Sequence, residues 1–210
     1  MNSEITIKIP TKPYDDFVLY TCDTFTFTPG ITSLVGCNGS GKSTLLMFIK
    51  SYLRDNDISY LEWNDRHSGG QNLMDKYLNV DGNMEGLINM AVSSEGERII
   101  QGLGDIFAKM GPKVRGNSGD KLVVMFDAID SGMSVDEIIE IRNVFFDTIL
   151  PDAEQHNTEL YIIIAANNYE WCADSRIHNV DINSGKPLEV SNYEDFKKII
   201  LQSRNTKDHR

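Results

Sequence analysis

Gly36-Cys37-Asn38-Gly39-Ser40-Gly41-Lys42-Ser43-Thr44 is a glycine-spaced run ending in Lys, Ser and Thr. It fits the phosphate-loop pattern G-x-x-x-x-G-K-[ST]. The spacing has a chemical reason. Glycines let the backbone curl until successive N–H groups point inward at phosphate oxygens. A helix opening near Lys42 adds its positive N-terminal end. Lys42 is expected to reach the β- and γ-phosphates, and the Ser43 hydroxyl to bind Mg²⁺. The expected ligands are therefore ATP and Mg²⁺, with Gly36 through Thr44 as the cradle.

The context fits. Ile31–Val35 is a short apolar strand running straight into Gly36, and Leu45–Arg54 follows as a helix with Leu45, Leu46, Phe48, Ile49 and Leu53 for its buried side. Upstream, Ile5, Ile7 and Ile9 alternate with polar residues before Pro10. Phe25 and Phe27 alternate with threonines in Asp23–Thr28, and Pro29-Gly30 makes a turn. These read as half-buried strands. Downstream, Ile58–Trp63 reads as a strand and Asn64–Asn72 as a loop. Leu73–Met90 has a broken helical period, and Glu97–Met110 a cleaner one. Gly111–Lys121 reads as a loop. Leu122–Phe126 is an apolar strand delivering Asp127, and Val135–Leu150 a helix stopped by Pro151. Leu160–Ala166 is another apolar strand. His178–Ile182 and Pro187–Val190 flank Asn183–Lys186 as a hairpin, and Tyr193–Leu201 is a closing helix. Apolar strands alternating with helices imply a mostly parallel sheet with helices on both faces. The fold class is α/β, a P-loop NTPase with an added antiparallel N-terminal β layer.

The 210 residues suit one domain, 1–210. The net charge of −11 disfavours a surface dominated by nucleic acid. Lys109, Lys113 and Arg115 read as a solvated patch; Lys197, Lys198, Arg204, Lys207 and Arg210 read as a solvated, frayed tail. No apolar run has the roughly 18 residues that cross a bilayer, and Met1–Pro10 has no signal-peptide core. The expected location is the cytoplasm. Three cysteines without a CxxC pair imply reduced thiols.

Asp127, at the end of an apolar strand, suits the second phosphate-site motif, which holds Mg²⁺. Around it a resemblance emerges. Asp127-Ala128-Ile129-Asp130-Ser131-Gly132-Met133-Ser134 resembles the D-E-P-x-S-[AG]-L-[DS] stretch of ABC-type ATPases, a class that includes transporter nucleotide-binding domains and RecF-type and SMC-type heads. Ser93-Ser94-Glu95-Gly96-Glu97-Arg98 resembles their signature L-S-G-G-[QE]-[RK]. Ile162–Asn168 resembles their switch strand and loop, and the turn at Asn183–Lys186 their final D-x-x-x-G-[KR] turn. The earlier Ser68-Gly69-Gly70-Gln71 comes too soon to be the signature, and Gln71 is a candidate for the family's glutamine near Mg²⁺.

The resemblance implies a head-to-tail dimer in which Ser94 and Gly96 bind the nucleotide held by the other copy. It also implies an aromatic grip on adenine, for which Tyr14, Phe17 and Tyr20 are candidates. Two groups the family uses are absent. Ala128 stands where it has a water-activating Glu, and Asn167 where it has a switch His. Asp130 is then the candidate base or water-orienting group. Two outcomes remain open: slow ATP hydrolysis in an ATP-dependent dimer, or a non-hydrolysing switch. The switch could also be a nucleotide-binding subunit driving a partner, such as a permease or a DNA-maintenance or defence complex.

Overall fold

The computed structural model describes residues 4–14, 17–64 and 95–208, with side chains described for all of these except 64 and 95–102. Gln71, Ser94, the loop expected over Asn64–Asn72 beyond its first residue, and the broken helical period of Leu73–Met90 lie outside the described residues.

Among the described residues, five parallel strands form the main sheet: β3 (Gly30–Val35), β4 (Ser59–Asn64), β5 (Lys121–Asp127), β6 (Glu159–Ala165) and β7 (Ile177–Asp181), in the order β4-β5-β6-β3-β7. β1 (Ile5–Lys8) and β2 (Thr24–Phe27) form a separate antiparallel pair, with Ile5 opposite Phe27. The alternating pattern of both strands is met, since Ile5, Ile7, Phe25 and Phe27 are buried while Thr6 and Thr26 are exposed.

The apolar runs of β5 and β6 are buried on both faces, as a parallel sheet covered on each side requires. On one face Leu122, Val124, Phe126, Leu160, Ile162 and Ile164 pack in one core. That core is closed by helices α2 (Glu95–Gly116), α3 (Val135–Val144) and α4 (Leu150–Gln155). On the other, Val123, Met125, Tyr161 and Ile163 meet helix α1 (Lys42–Asp55) and the β1–β2 layer. A third, smaller cluster joins Val35 and Cys172 to Phe196 of the last helix, α5 (Tyr193–Asp208).

Four elements differ from the sequence reading, each for a physical reason. α2 does not stop at Met110 but runs through Pro112 to Gly116. Burial of Val114 and a 2.6 Å hydrogen bond donated by the Thr158 hydroxyl to the Val114 carbonyl hold that last turn. Pro151 does not end the helix begun at Val135; a wider π turn over Phe145–Ile149 precedes it and the chain continues helically to Gln155. Proline lacks an amide donor, and a widened turn is one way for a helix to absorb it. The expected final hairpin is reduced to one antiparallel bridge, Val180 opposite Pro187, on the edge of β7 that β3 does not take, and Pro187 has no amide with which to extend the ladder. α5 extends to Asp208, well past Leu201.

Register fixes the site. Asp127 is level with Ala165, Ala165 with Leu34, and Val35 with Asp181. The C-terminal ends of β3, β5 and β6 therefore share one edge. In open α/β sheets that edge is where ligands bind.

Candidate functional site

β3 delivers the chain into the phosphate loop, and α1 begins at Lys42 after Gly41. Gly39 and Gly41 have φ of 75° and 107°, values that L side chains rarely adopt. At Gly41 a side chain would also strike Leu19, at 2.9 Å from its Cβ position. The helix amides of Lys42, Ser43 and Thr44 precede the first intrahelical donor, Leu45, whose N–H reaches the Gly41 carbonyl at 2.8 Å. Such helix-start amides are the groups that bind anions in other proteins.

The loop borders a cleft of about 650 Å³, within the size range of small-molecule sites. Asn38, Gly39, Gly41, Lys42, Ser43 and Thr44 line one side, and Asp127, Ala128, Ser131, Ala165 and Asn167 the other. The topology explains the meeting. β6 lies between the loop strand β3 and the aspartate strand β5, so the segment after β6 brings Asn167 between them.

Lys42 is 8% exposed and folds back on its own loop, donating to the Gly36 carbonyl at 2.7 Å and the Cys37 carbonyl at 3.2 Å. Burial pushes its ammonium below the usual lysine value, while Cys37, Asp130 and Asp127 pull the other way. The Ser43 hydroxyl donates to Asp127 Oδ1 at 3.0 Å, although 84 residues separate them. A hydroxyl and a carboxylate thus converge beside the glycine-spaced loop. This donor set fits Mg²⁺, a hard cation that takes oxygen ligands and shares them with phosphates.

The expected base, Asp130, is placed differently from the cleft-lining residues. Its Oδ2 accepts from the backbone amides of Asn167 at 2.7 Å and Asn168 at 2.5 Å. The carboxylate clamps the segment that carries Asn167 into the cleft. Ala128 does line the cleft, and its φ of 56° marks a tight corner, with its N–H bonded to the Ala165 carbonyl at 2.8 Å.

The three aromatic candidates separate. Tyr14 and Phe17 are exposed at the cleft, and the Tyr14 hydroxyl lies 3.4 Å from Thr44 Oγ1. Tyr20 is fully buried, packs edge-on against Phe25, and donates to the Gly41 carbonyl at 2.7 Å. It supports the loop from beneath and is not available to stack on a base. Of the expected signature residues, Gly96 lies in the first turn of α2.

Sequence reading missed the contribution of α5. Ser203, almost fully buried, accepts from the Cys37 N–H at 3.1 Å, and Lys207 donates to the Asn38 carbonyl at 3.2 Å. The expected frayed tail is instead helical to Asp208 and seated on the loop, and Arg210 lies outside the described residues. Separations of 166 and 169 residues leave no local pattern to read.

A chain in a solved structure described as "Structure of Drosophila ORC bound to DNA" superposes with a TM-score of 0.35 and 17% identity, covering 67% of this chain and 33% of that one. This protein therefore spans about a third of that chain's length. No curated protein matches the sequence. Residues 15–200 match the family model described as an AAA domain, and with the phosphate loop, the aspartate strand and the parallel sheet around them, this chain belongs to that family of P-loop ATPase domains.

Proposed function

We propose that the chain is a single cytoplasmic ATP-binding domain that holds MgATP in the cleft and hydrolyses it slowly in a nucleotide-driven head-to-tail dimer. The observation that carries this reading is the Ser43–Asp127 contact beside the loop. Ser43 and Asp127 would hold Mg²⁺, which supplies charge neutralisation at the β- and γ-phosphates. The backbone of Gly36–Thr44 and the start of α1 bind the phosphates. Lys42 exchanges a loop carbonyl for a phosphate oxygen, which returns a counter-charge to a buried ammonium. Tyr14 or Phe17 stacks on adenine. In the dimer, Ser94 and Gly96 of one copy meet the nucleotide of the other, and Gln71 approaches the metal.

Slow turnover follows from the residues beside the phosphates. Ala128 takes no proton, and Asn167 orients a water without titrating. Asp130 acts by holding Asn167 in place. Positioning and electrostatic stabilisation remain, and these are large terms in phosphoryl transfer. The same two residues favour the second reading, a non-hydrolysing switch or a subunit awaiting an activating partner.

Steady-state MgATP hydrolysis against protein concentration, with Lys42→Ala as the blank, tests the proposal. A rate above the blank that rises faster than linearly supports a dimeric ATPase. A rate equal to the blank at every concentration supports the switch.

A further inference from the structure

The phosphate loop is braced from outside the cleft by the C-terminal helix. Ser203 receives the Cys37 N–H at 3.1 Å and the Asn183 side-chain amide at 3.3 Å, which fixes this stretch of α5 against the loop. One turn later, Lys207 Nζ lies 3.2 Å from the Asn38 carbonyl oxygen. It also stands 3.1 Å from the position a Cβ on Gly39 would take. Asn38 and Gly39 line the cleft, and Lys207, which touches both positions, is not among the lining residues.

The peptide joining Asn38 to Gly39 is trans, as no cis peptide is present among the described residues. Its carbonyl and its N–H therefore point in opposite directions. Holding the carbonyl outward on an ammonium turns the Gly39 N–H towards the cleft. A cation on the carbonyl also polarises the peptide and strengthens its N–H as a donor. We propose that Lys207 is a positioning residue for the nucleotide's phosphates, acting through the Asn38–Gly39 peptide, with Ser203 setting the register of the helix. This rests on the phosphate-site reading above and adds a residue to it from the far end of the chain.

The test compares the full chain with Lys207→Met, Lys207→Arg and Lys42→Ala. A fluorescent ATP analogue is displaced by MgATP and, separately, by inorganic tripolyphosphate with Mg²⁺. Melting is recorded without nucleotide. Loss of one charge-assisted bond is expected to weaken both displacements about five- to tenfold in Lys207→Met. Nucleotide-free melting should stay within about 2 °C of wild type. Lys207→Arg, which keeps a cationic donor, should stay within about twofold. Unchanged displacement in Lys207→Met, with binding lost in Lys42→Ala, overturns the role of Lys207 and leaves the phosphate site standing. Wild-type binding in Lys42→Ala overturns the phosphate site and this proposal together. A drop in nucleotide-free melting that Lys207→Arg does not restore reduces the contact to a structural one and also overturns it.

Discussion

Asp130 shows how one residue's role is decided by its hydrogen bonds. Its Oδ2 holds the amides of Asn167 and Asn168. A carbonyl oxygen could hold those amides in its place, whereas a base must take up a proton. Asp130→Asn therefore keeps the clamp and removes the proton acceptor. Hydrolysis is expected to fall by about threefold or less, against the hundredfold or greater loss typical of a removed general base; single-turnover rates distinguish the two. Ala128→Glu makes the complementary change, returning a carboxylate to the cleft wall. It is expected to raise the rate at least about tenfold, measured in the same assay. Cys172 carries a pH prediction. Burial above all, opposed by the Ser33 hydrogen bond and helped by Asp130, pushes its thiol from 9.0 up to about 11. A raised folded value keeps its contribution whole below 9.0 and loses it as pH climbs towards about 11. The difference in unfolding free energy between wild type and Cys172→Ala should shrink over that window, by at most about 3 kcal/mol. A constant difference contradicts it. The motif residues were legible because each has a local spacing. The contacts of Asp130 with Asn167 and Asn168, and of Tyr20 with Gly41, were not, because each depends on a partner distant in the chain.

Elements were most legible where the pattern was densest. β5 and β6 are continuous apolar runs and sit where those runs predict. Helix ends were harder, because Gly111-Pro112 and Pro151 are local stop signals that tertiary packing overrides. At α2 the override is Val114, fully buried, and its carbonyl bonded to Thr158. Pro112 thus sits inside a helix at an exposed position, without an amide to donate. Pro112→Ala should stabilise the protein by about 1–3 kcal/mol, read by denaturant midpoint at constant m-value. No gain would mean that the proline is relieved by a local distortion already present. α5 failed as a sequence reading for the opposite reason. Its polar second half has no apolar period, and its contacts with the loop run through Ser203 and Lys207.

At the scale of the molecule, a sheet buried on both faces presents the C-terminal ends of β3, β5 and β6 along one edge. The loop, Asp127 and Asn167 all emerge there. Among the described residues, no helix is long and apolar enough to cross a membrane. Against the net charge of −11, the cleft holds a buried lysine and the start of a helix, the groups that the proposed nucleotide phosphates need. If the proposed dimer forms, ATP under non-hydrolysing conditions should shift the mass in light scattering from one copy to two, and Ser94→Arg should abolish the shift. A single copy throughout contradicts the shared site. The account as a whole depends on the loop binding phosphates through Lys42. The most direct measurement is calorimetric titration of the wild type and of Lys42→Ala with MgATP, beside a circular-dichroism check that both are folded. Saturable one-site binding by the wild type and none by folded Lys42→Ala is the expected result. Equal affinity in the two proteins would contradict it.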